Sequence, residues 1–340
     1  MIGDNDLSDL LSKIEEVNNN QPLTYFEALT AAFFYGCKKY KENLVIAEFG
    51  LFGRGDAVNI LKKTFNIKKA GHAGTLDPLA SGVLPIAINS ATKTIPYLVD
   101  TKKTYKFRIR WGEQTDTDDS EGVIINRSDS RPIENDIKES LKYFVGNIKQ
   151  VPPRYSALKI KGKRAYKLAR QNEIFSIPPR DVKVLDLKLS NIINNDLAEF
   201  EVTCEKGFYI RSLARDISLK VGTFGHVNAL ERTKVGRFHL KDSFTLETYE
   251  KLVHSAAAGM IDKYFLLPLD CVLDDIPALN ISDEEAIMFC YGQAISLNIS
   301  TDNIPTGSDV LIKNREKSLG IAVFFEKTLK PKKVFSNTID

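Results

Sequence analysis

The stretch KKAGHAGTLDPLASGVLP, Lys68 to Pro85, sets a histidine, His72, and an aspartate, Asp77, inside a run of glycine, alanine and proline. Core packing asks for neither side chain. Gly71 and Gly74 permit positive φ and a close backbone approach, and Pro78 fixes the chain just after the carboxylate. Two readings of Asp77 stand side by side here. It is a carboxylate held on a rigid turn as nucleophile or base, or an aspartate that caps the turn. A second glycine-rich run, EFGLFGRGDAVN (Glu48 to Asn59), lies just upstream.

Around this stretch the chain has 340 residues, room for two or three domains. With 43% hydrophobic and 27% charged residues it is globular in composition. The net charge of +3 does not by itself announce a nucleic-acid binder, so local charge decides. The cysteines Cys37, Cys204, Cys271 and Cys290 are far apart with no C-x-x-C pair, which argues against a zinc site or a disulfide framework. No apolar run reaches transmembrane length, and the acidic start MIGDNDLSDLLSKIEE is wrong for a signal peptide. A cytoplasmic chain is expected, with no membrane association and no metal.

Hydrophobic periodicity predicts helices through residues 1–40, a short strand at NLVIAEFG, and an amphipathic helix at DAVNILKKTFN. KTYKFRIRWGEQT alternates as a half-buried strand, with Tyr105, Phe107, Ile109 and Trp111 on one face. ENDIKESLKYFVGNI reads as a helix, and residues 183–206 as two strands joined by a turn. YIRSLARDISLKVG reads as a helix stopped at Gly222. Beyond about residue 255, PALNISDEEA, GQAISLN, GSDVLIKN and LGIAVFFE suggest a small β-rich domain of strands and turns.

Distant residues bear on Asp77. GFYIRSL puts Tyr209 and Arg211 at a helix start, and a guanidinium beside Asp77 would keep it ionised. Tyr105 stands among Lys102, Lys103 and Lys106, suited to stacking on a base near phosphates, or else to packing in the core. SALKIKGKRAYKLAR carries Lys159, Lys161, Lys163 and Arg164 without an acid, a stripe for RNA phosphates or a solvated face. EQTDTDDSEG has its glycine in the wrong place for a calcium loop and reads as a polar hairpin tip.

From about Asp56 onward the chain resembles the TruB family of tRNA pseudouridine synthases. The pieces that carry the resemblance are GHAGTLDPLASGVLPIAINSATK, KTYKFRIRWGEQTDTDDSEG, QVPPRYSALKIKGKRAYKLAR, CEKGFYIRSLARDIS and NALERTKVGRF, in that order. The resemblance implies an α+β pseudouridine synthase fold: a large mixed, mostly antiparallel sheet with flanking helices, plus a small β-rich PUA-like C-terminal domain. It implies isomerisation of uridine 55 in the tRNA T-loop after base flipping, with no cofactor, in a monomer. It assigns Asp77 as the catalytic carboxylate, Tyr105 as a catalytic residue that stacks on the uracil and helps remove the C5 proton, and Arg211 as the catalytic residue that holds Asp77. His72 would contact the displaced RNA, and Tyr209 and Leu230 would line the uridine pocket.

The upstream residues do not fit this family, whose Lys-Pro-x-Gly-x-Thr-Ser motif is missing. Residues 1–55 are instead similar to an internal fragment of folylpolyglutamate/dihydrofolate synthase, through QPLTYFEALTAAFFYG and LVIAEFGLFGRGDAVN. The expected division is therefore 1–55, a non-catalytic fragment; 56–255, the synthase domain; and 256–340, the PUA-like RNA-binding domain. On this division LVIAEFG takes the place of a missing first strand. The alternative is a catalytically impaired fusion that only binds or folds tRNA.

Overall fold

The computed structural model describes residues 43–48 as backbone, and residues 69–171, 173–243, 266–297 and 304–335 in full apart from the side chain of Leu266. The helices expected in residues 1–40 and at DAVNILKKTFN lie outside these residues, as does the boundary expected at residue 255.

Strands β1 (Asn43–Glu48), β2 (Ala70–His72), β3 (Ala80–Ile88), β4 (Lys103–Trp111), a hairpin β5–β6 (Glu113–Thr115, Ile124–Arg127) and β7 (Gly146–Gln150) come first in the chain. A short hairpin β8–β9 (Lys159–Ile160, Lys163–Arg164) precedes β10 (Arg180–Asn194), β11 (Leu197–Cys204), β12 (Gly225–Val235), β13 (Phe238–His239) and β14 (Leu266–Pro268). The main sheet runs β14-β1-β3-β12-β4-β11-β10-β7, with β2 added on β3 and β13 on β12. Among the described residues of this sheet, only β3 and β12 pair in parallel, with Leu230 opposite Ala80. The sheet is thus mixed and mostly antiparallel, as expected. The run NLVIAE pairs with β3 and β14, so the expected strand forms.

Alternation explains β4 and β11. Phe107, Ile109 and Trp111 are buried on one face of β4, and Ala198, Phe200, Val202 and Cys204 on one face of β11. Phe107 and Phe200 stack at 5.3 Å between ring centroids. Strand β3 is apolar almost throughout because both of its faces are covered. Leu84, Ile86 and Ile88 join the core beneath helices α2 (Glu134–Leu141) and α4 (Ile210–Lys220), while Val83 and Ala87 join a second core. Among the described residues the other α-helices are α1 (Ile95–Val99), α3 (Ala165–Arg170) and α5 (Asp283–Cys290).

That second core also takes Leu311, Ile321 and Phe335 from a five-stranded sheet near the C-terminus. Its order is β15-β17-β18-β19-β16, from Ala278–Asn280, Ile295–Ser296, Asp309–Asn314, Lys317–Phe325 and Thr328–Val334. It docks on the 89–99 segment through Tyr97 Oη donating to Asp309 at 2.7 Å and Lys333 Nζ donating to the Lys93 carbonyl at 2.7 Å.

Two local expectations need correction. Residues 134–148 are not one helix: α2 stops at Leu141, and Gly146 (φ +89°) turns the chain into β7. PALNISDEEA is strand only at Ala278–Asn280, and its second half is helical. Ser282 and Glu285 form a reciprocal capping box that starts α5, a helical signal in the sequence itself.

Gly82 in β3 has φ +102°, and a Cβ there would lie 2.3 Å from the Arg232 carbonyl oxygen of β12. Gly82→Ala should cost about 3 kcal/mol or more, since it combines a strained φ with a backbone clash. Urea unfolding measures it.

Candidate active site

The Asp77 side chain does not cap the turn; the backbone closes the turn and the side chain pairs elsewhere. The Asp77 carbonyl accepts the Ala80 N–H at 2.9 Å across Pro78 and Leu79, closing a tight turn between β2 and β3. Its side chain is left to face Arg211. Arg211 Nε donates to one carboxylate oxygen at 2.8 Å and Nη2 to the other at 2.9 Å, a two-point fork. The Asp77 side chain is 28% exposed and that of Arg211 only 5%. The carboxylate is therefore fixed from below and open from above.

Arg211 is held in turn. Its Nη1 donates to the Thr117 carbonyl at 3.1 Å and lies 3.4 Å from the buried Asp119 carboxylate, and Nη2 also donates to the Tyr155 carbonyl at 3.0 Å. Burial works against the guanidinium charge, but the carboxylates of Asp77, Asp119 and Asp118 outweigh it and push the pKa up. The helix start that carries Arg211 is anchored by the buried Gln150, whose side-chain amide accepts the Tyr209 N–H at 2.9 Å and donates to the Tyr209 carbonyl at 3.0 Å. Ser212 Oγ adds a bond to the Val151 carbonyl at 2.8 Å.

Tyr105 lies on the core side of β4, packed against the same core as Leu230. Burial, reinforced by the Asp77 charge and opposed by the Arg232 guanidinium, pushes its hydroxyl up to about 12. It is neutral near pH 7. Burial likewise raises the Tyr209 hydroxyl. Leu230, 6% exposed, sits opposite Phe107 of β4 and Ala80 of β3, three residues beyond Asp77. His72 ends β2, opposite Ile86.

The structure thus brings Asp77 and Arg211 into contact and packs Tyr105 and Leu230 in one core beside them. The basic residues Lys159, Lys161, Lys163 and Arg164 are exposed on the β8–β9 hairpin, whose tip turns through Lys161 (φ +47°) and Gly162 (φ +86°). The same stretch of chain supplies the Tyr155 carbonyl that Arg211 grips. EQTDTDDSEG forms the β5–β6 hairpin, as expected, but its acids are not merely a polar tip. Asp119 faces Arg211, and Asp118 pairs with Arg215 at 3.0 Å.

Lys103 departs from the reading that grouped it with Lys102 and Lys106 near phosphates. It is 7% exposed and donates to the Val99 and Thr101 carbonyls at 2.9 and 2.8 Å. Strand alternation explains this, since Lys103 shares the inward face with Tyr105. Burial, aided by Arg232, pushes its ammonium from 10.5 down to about 8. Between those values the unfolded chain holds the proton and the folded chain has released it. The stabilising contribution of this site therefore grows as pH rises through that window and is lost below it. Lys103→Met should flatten this rise relative to the wild type, read by denaturant unfolding at pH 8 and pH 10.

Sequence reasoning missed Asp119, Gln150 and Arg232. Nothing in their local spacing marks them, and each acts through a contact that is long-range in the chain. No group of three or more His, Cys, Asp or Glu side chains among the described residues has metal-site geometry. No helix among them is long and apolar enough to cross a membrane.

Comparisons with known proteins bear on the family and the fold. The model of the TruB family pseudouridylate synthase N-terminal domain matches residues 62–210, and that of the tRNA pseudouridylate synthase B C-terminal domain matches residues 211–274. The tRNA pseudouridine synthase B of Bradyrhizobium diazoefficiens is 45% identical over 285 residues, covering 83% of this chain and 82% of the relative. That of Ehrlichia chaffeensis is 46% identical over 264 residues, covering 73% and 88%. Among solved structures, a Cbf5–Nop10–Gar1 complex aligns with a TM-score of 0.64 at 23% identity, over 87% of this chain and 85% of the other. An H/ACA RNP bound to a substrate RNA containing 2′-deoxyuridine gives 0.64 at 21% identity, over 86% and 85%; both likenesses establish the fold. None of these findings supports the reading of residues 1–55 as a folylpolyglutamate synthase fragment. The chain belongs to the TruB family of pseudouridylate synthases.

Proposed function

We propose that this chain isomerises a uridine in the T-arm of tRNA to pseudouridine, as a cytoplasmic monomer, with Asp77 as its nucleophile. The observation that carries the reading is the two-point Asp77–Arg211 pair, buried on the arginine side and open on the carboxylate side. A nucleophilic carboxylate must be oriented and reachable, and this arrangement meets both needs.

The target base leaves its stack and enters the site, at a cost of a few kcal/mol in unstacking. Tyr105 packs on the uracil, with Leu230 and Tyr209 as further walls, and His72 lies against the displaced strand. The Asp77 carboxylate bonds transiently to a carbon of the uracil ring or to the anomeric carbon of the ribose. The N1–C1′ bond breaks, the base turns, and C5 bonds to C1′. The C5 proton then leaves to solvent while N1 gains one, so the product is an isomer and no redox equivalent is consumed. Arg211 stabilises the carboxylate whenever it is free.

The exposed lysines of the β8–β9 hairpin supply salt-dependent contact with phosphates. In this reading the unit before residue 56 is non-catalytic, residues 56–255 carry the chemistry, and residues 256–340 form a PUA-like module that extends RNA contact.

The test is release of tritium from a T-arm stem-loop labelled at uridine C5. Stoichiometric release with formation of pseudouridine supports the proposal. RNA binding without release would sink it and leave a tRNA-binding protein in its place.

A further inference from the structure

Arg232 is the most deeply buried charged side chain among the described residues, at 0% exposure. No carboxylate among the described residues pairs with it. A lone buried charge costs several kcal/mol, and an apolar side chain of similar volume would fill the same space. Filling the core therefore does not explain its presence.

Its contacts do. Nε donates to the Val83 carbonyl of β3 at 2.8 Å, Nη2 donates to the Gly74 carbonyl at 3.1 Å, and Nη1 reaches the Thr75 carbonyl at 3.5 Å. Gly74 and Thr75 belong to the loop that presents Asp77. On β4 the residue opposite Arg232 is Tyr105, and paired residues of antiparallel strands share a face. The Arg232 charge works against burial to lower the Tyr105 hydroxyl pKa. One planar cation thus bonds the turn that holds the nucleophile and is cross-strand neighbour to the tyrosine expected against the base. The missing Cβ of Gly82 is what lets the Arg232 backbone come this close to β3.

We propose that Arg232 is a positioning residue that sets the Tyr105 hydroxyl and the Asp77 turn in mutual register, acting on the reaction through Tyr105. This rests on the functional reading of Asp77 and Tyr105 given above. A lysine cannot take over, because its ammonium donates from one point, whereas the guanidinium donates toward three separate carbonyls.

The test is a double-mutant cycle of Arg232→Lys with Tyr105→Phe, reading single-turnover tritium release and T-arm affinity separately. Arg232→Lys should slow release by about tenfold or more while the dissociation constant stays within about twofold. In the Tyr105→Phe background the further loss should shrink to below about threefold. An equal loss in both backgrounds, or a loss matched by weaker RNA binding, would overturn the proposal.

The Tyr105 13Cζ resonance, assigned by its absence in Tyr105→Phe, gives a readout that needs no turnover. It should shift in Arg232→Lys while other tyrosine resonances hold. If the wild type releases no tritium, the functional reading fails, and an unmoved Tyr105 resonance then overturns this inference as well. Should Arg232→Lys not fold, Arg232→Gln takes its place. Failure of both to fold makes Arg232 a residue of the fold alone and counts against the proposal.

Discussion

In Asp77→Asn, pseudouridine formation is expected to fall by at least about 10³-fold, with T-arm affinity within about threefold of wild type. An amide is too weak a nucleophile for a carboxylate's bond-forming role, and no other described carboxylate replaces it. Asp119, the nearest alternative, is buried on the far side of Arg211, with 3% of its side chain exposed. Tritium release and filter binding on the same stem-loop separate the two quantities. Residual release within tenfold of wild type would mean that another group performs the chemistry. Stability should change little, because Asn retains an acceptor for Arg211 and Asp77 is open to water on one side.

Arg211→Met should damage both activity and fold. It removes the one cation that pairs with Asp77 and Asp119 among the described residues, leaving two carboxylates facing each other over an apolar side chain. Breaking a buried pair by deleting one partner costs about 3–5 kcal/mol. The exposure of Asp77 places the expected loss at the lower end, a drop in melting temperature of roughly 6–12 °C. The Thr117 and Tyr155 carbonyls also lose their donor, which loosens the joint between the acidic hairpin and the basic one. Arg211→Lys should recover part of the stability but not the fork, so its turnover should stay about 10²-fold or more below wild type. If Arg211→Met melted with wild type, the ion-pair cluster would contribute nothing to the fold, and the burial argument would be wrong.

The two substitutions probe different links of one chain. On the proposed function Asp77 is expected to contribute chemistry and little stability, because its side chain faces outward from a turn that its own backbone maintains. Arg211 is expected to contribute to both, because its guanidinium spans segments brought together from residues 77, 117, 119 and 155.

How much of this was legible beforehand depends on the range of the interaction. The β4 and β11 strands, the helix that carries Arg211 and the turn at Asp77 follow from short-period patterns, since alternation, helical spacing and Gly/Pro turn chemistry are local. The helix at Asp283 was equally local: its Ser-x-x-Glu capping box stands in the sequence and was read as strand and turn. Lys103 shows the opposite failure. Neighbouring lysines suggested a phosphate patch, but the strand turns every second side chain inward, and Lys103 shares that inward face with Tyr105.

By itself the sequence determined most of the strands and helices, such as β4, β11 and the helix that carries Arg211. Through the order of its motifs it also determined the family, the fold class and the pairing of Asp77 with Arg211. It could not determine that Asp119 and Gln150 hold Arg211, that Arg232 sits unpaired among carbonyls of the Asp77 turn, or that the C-terminal sheet shares a core with β3. Each of those depends on contacts between residues tens to hundreds of positions apart. Their free energy arises only once burial removes water from the groups involved, and no local pattern of residues encodes which groups burial will bring together.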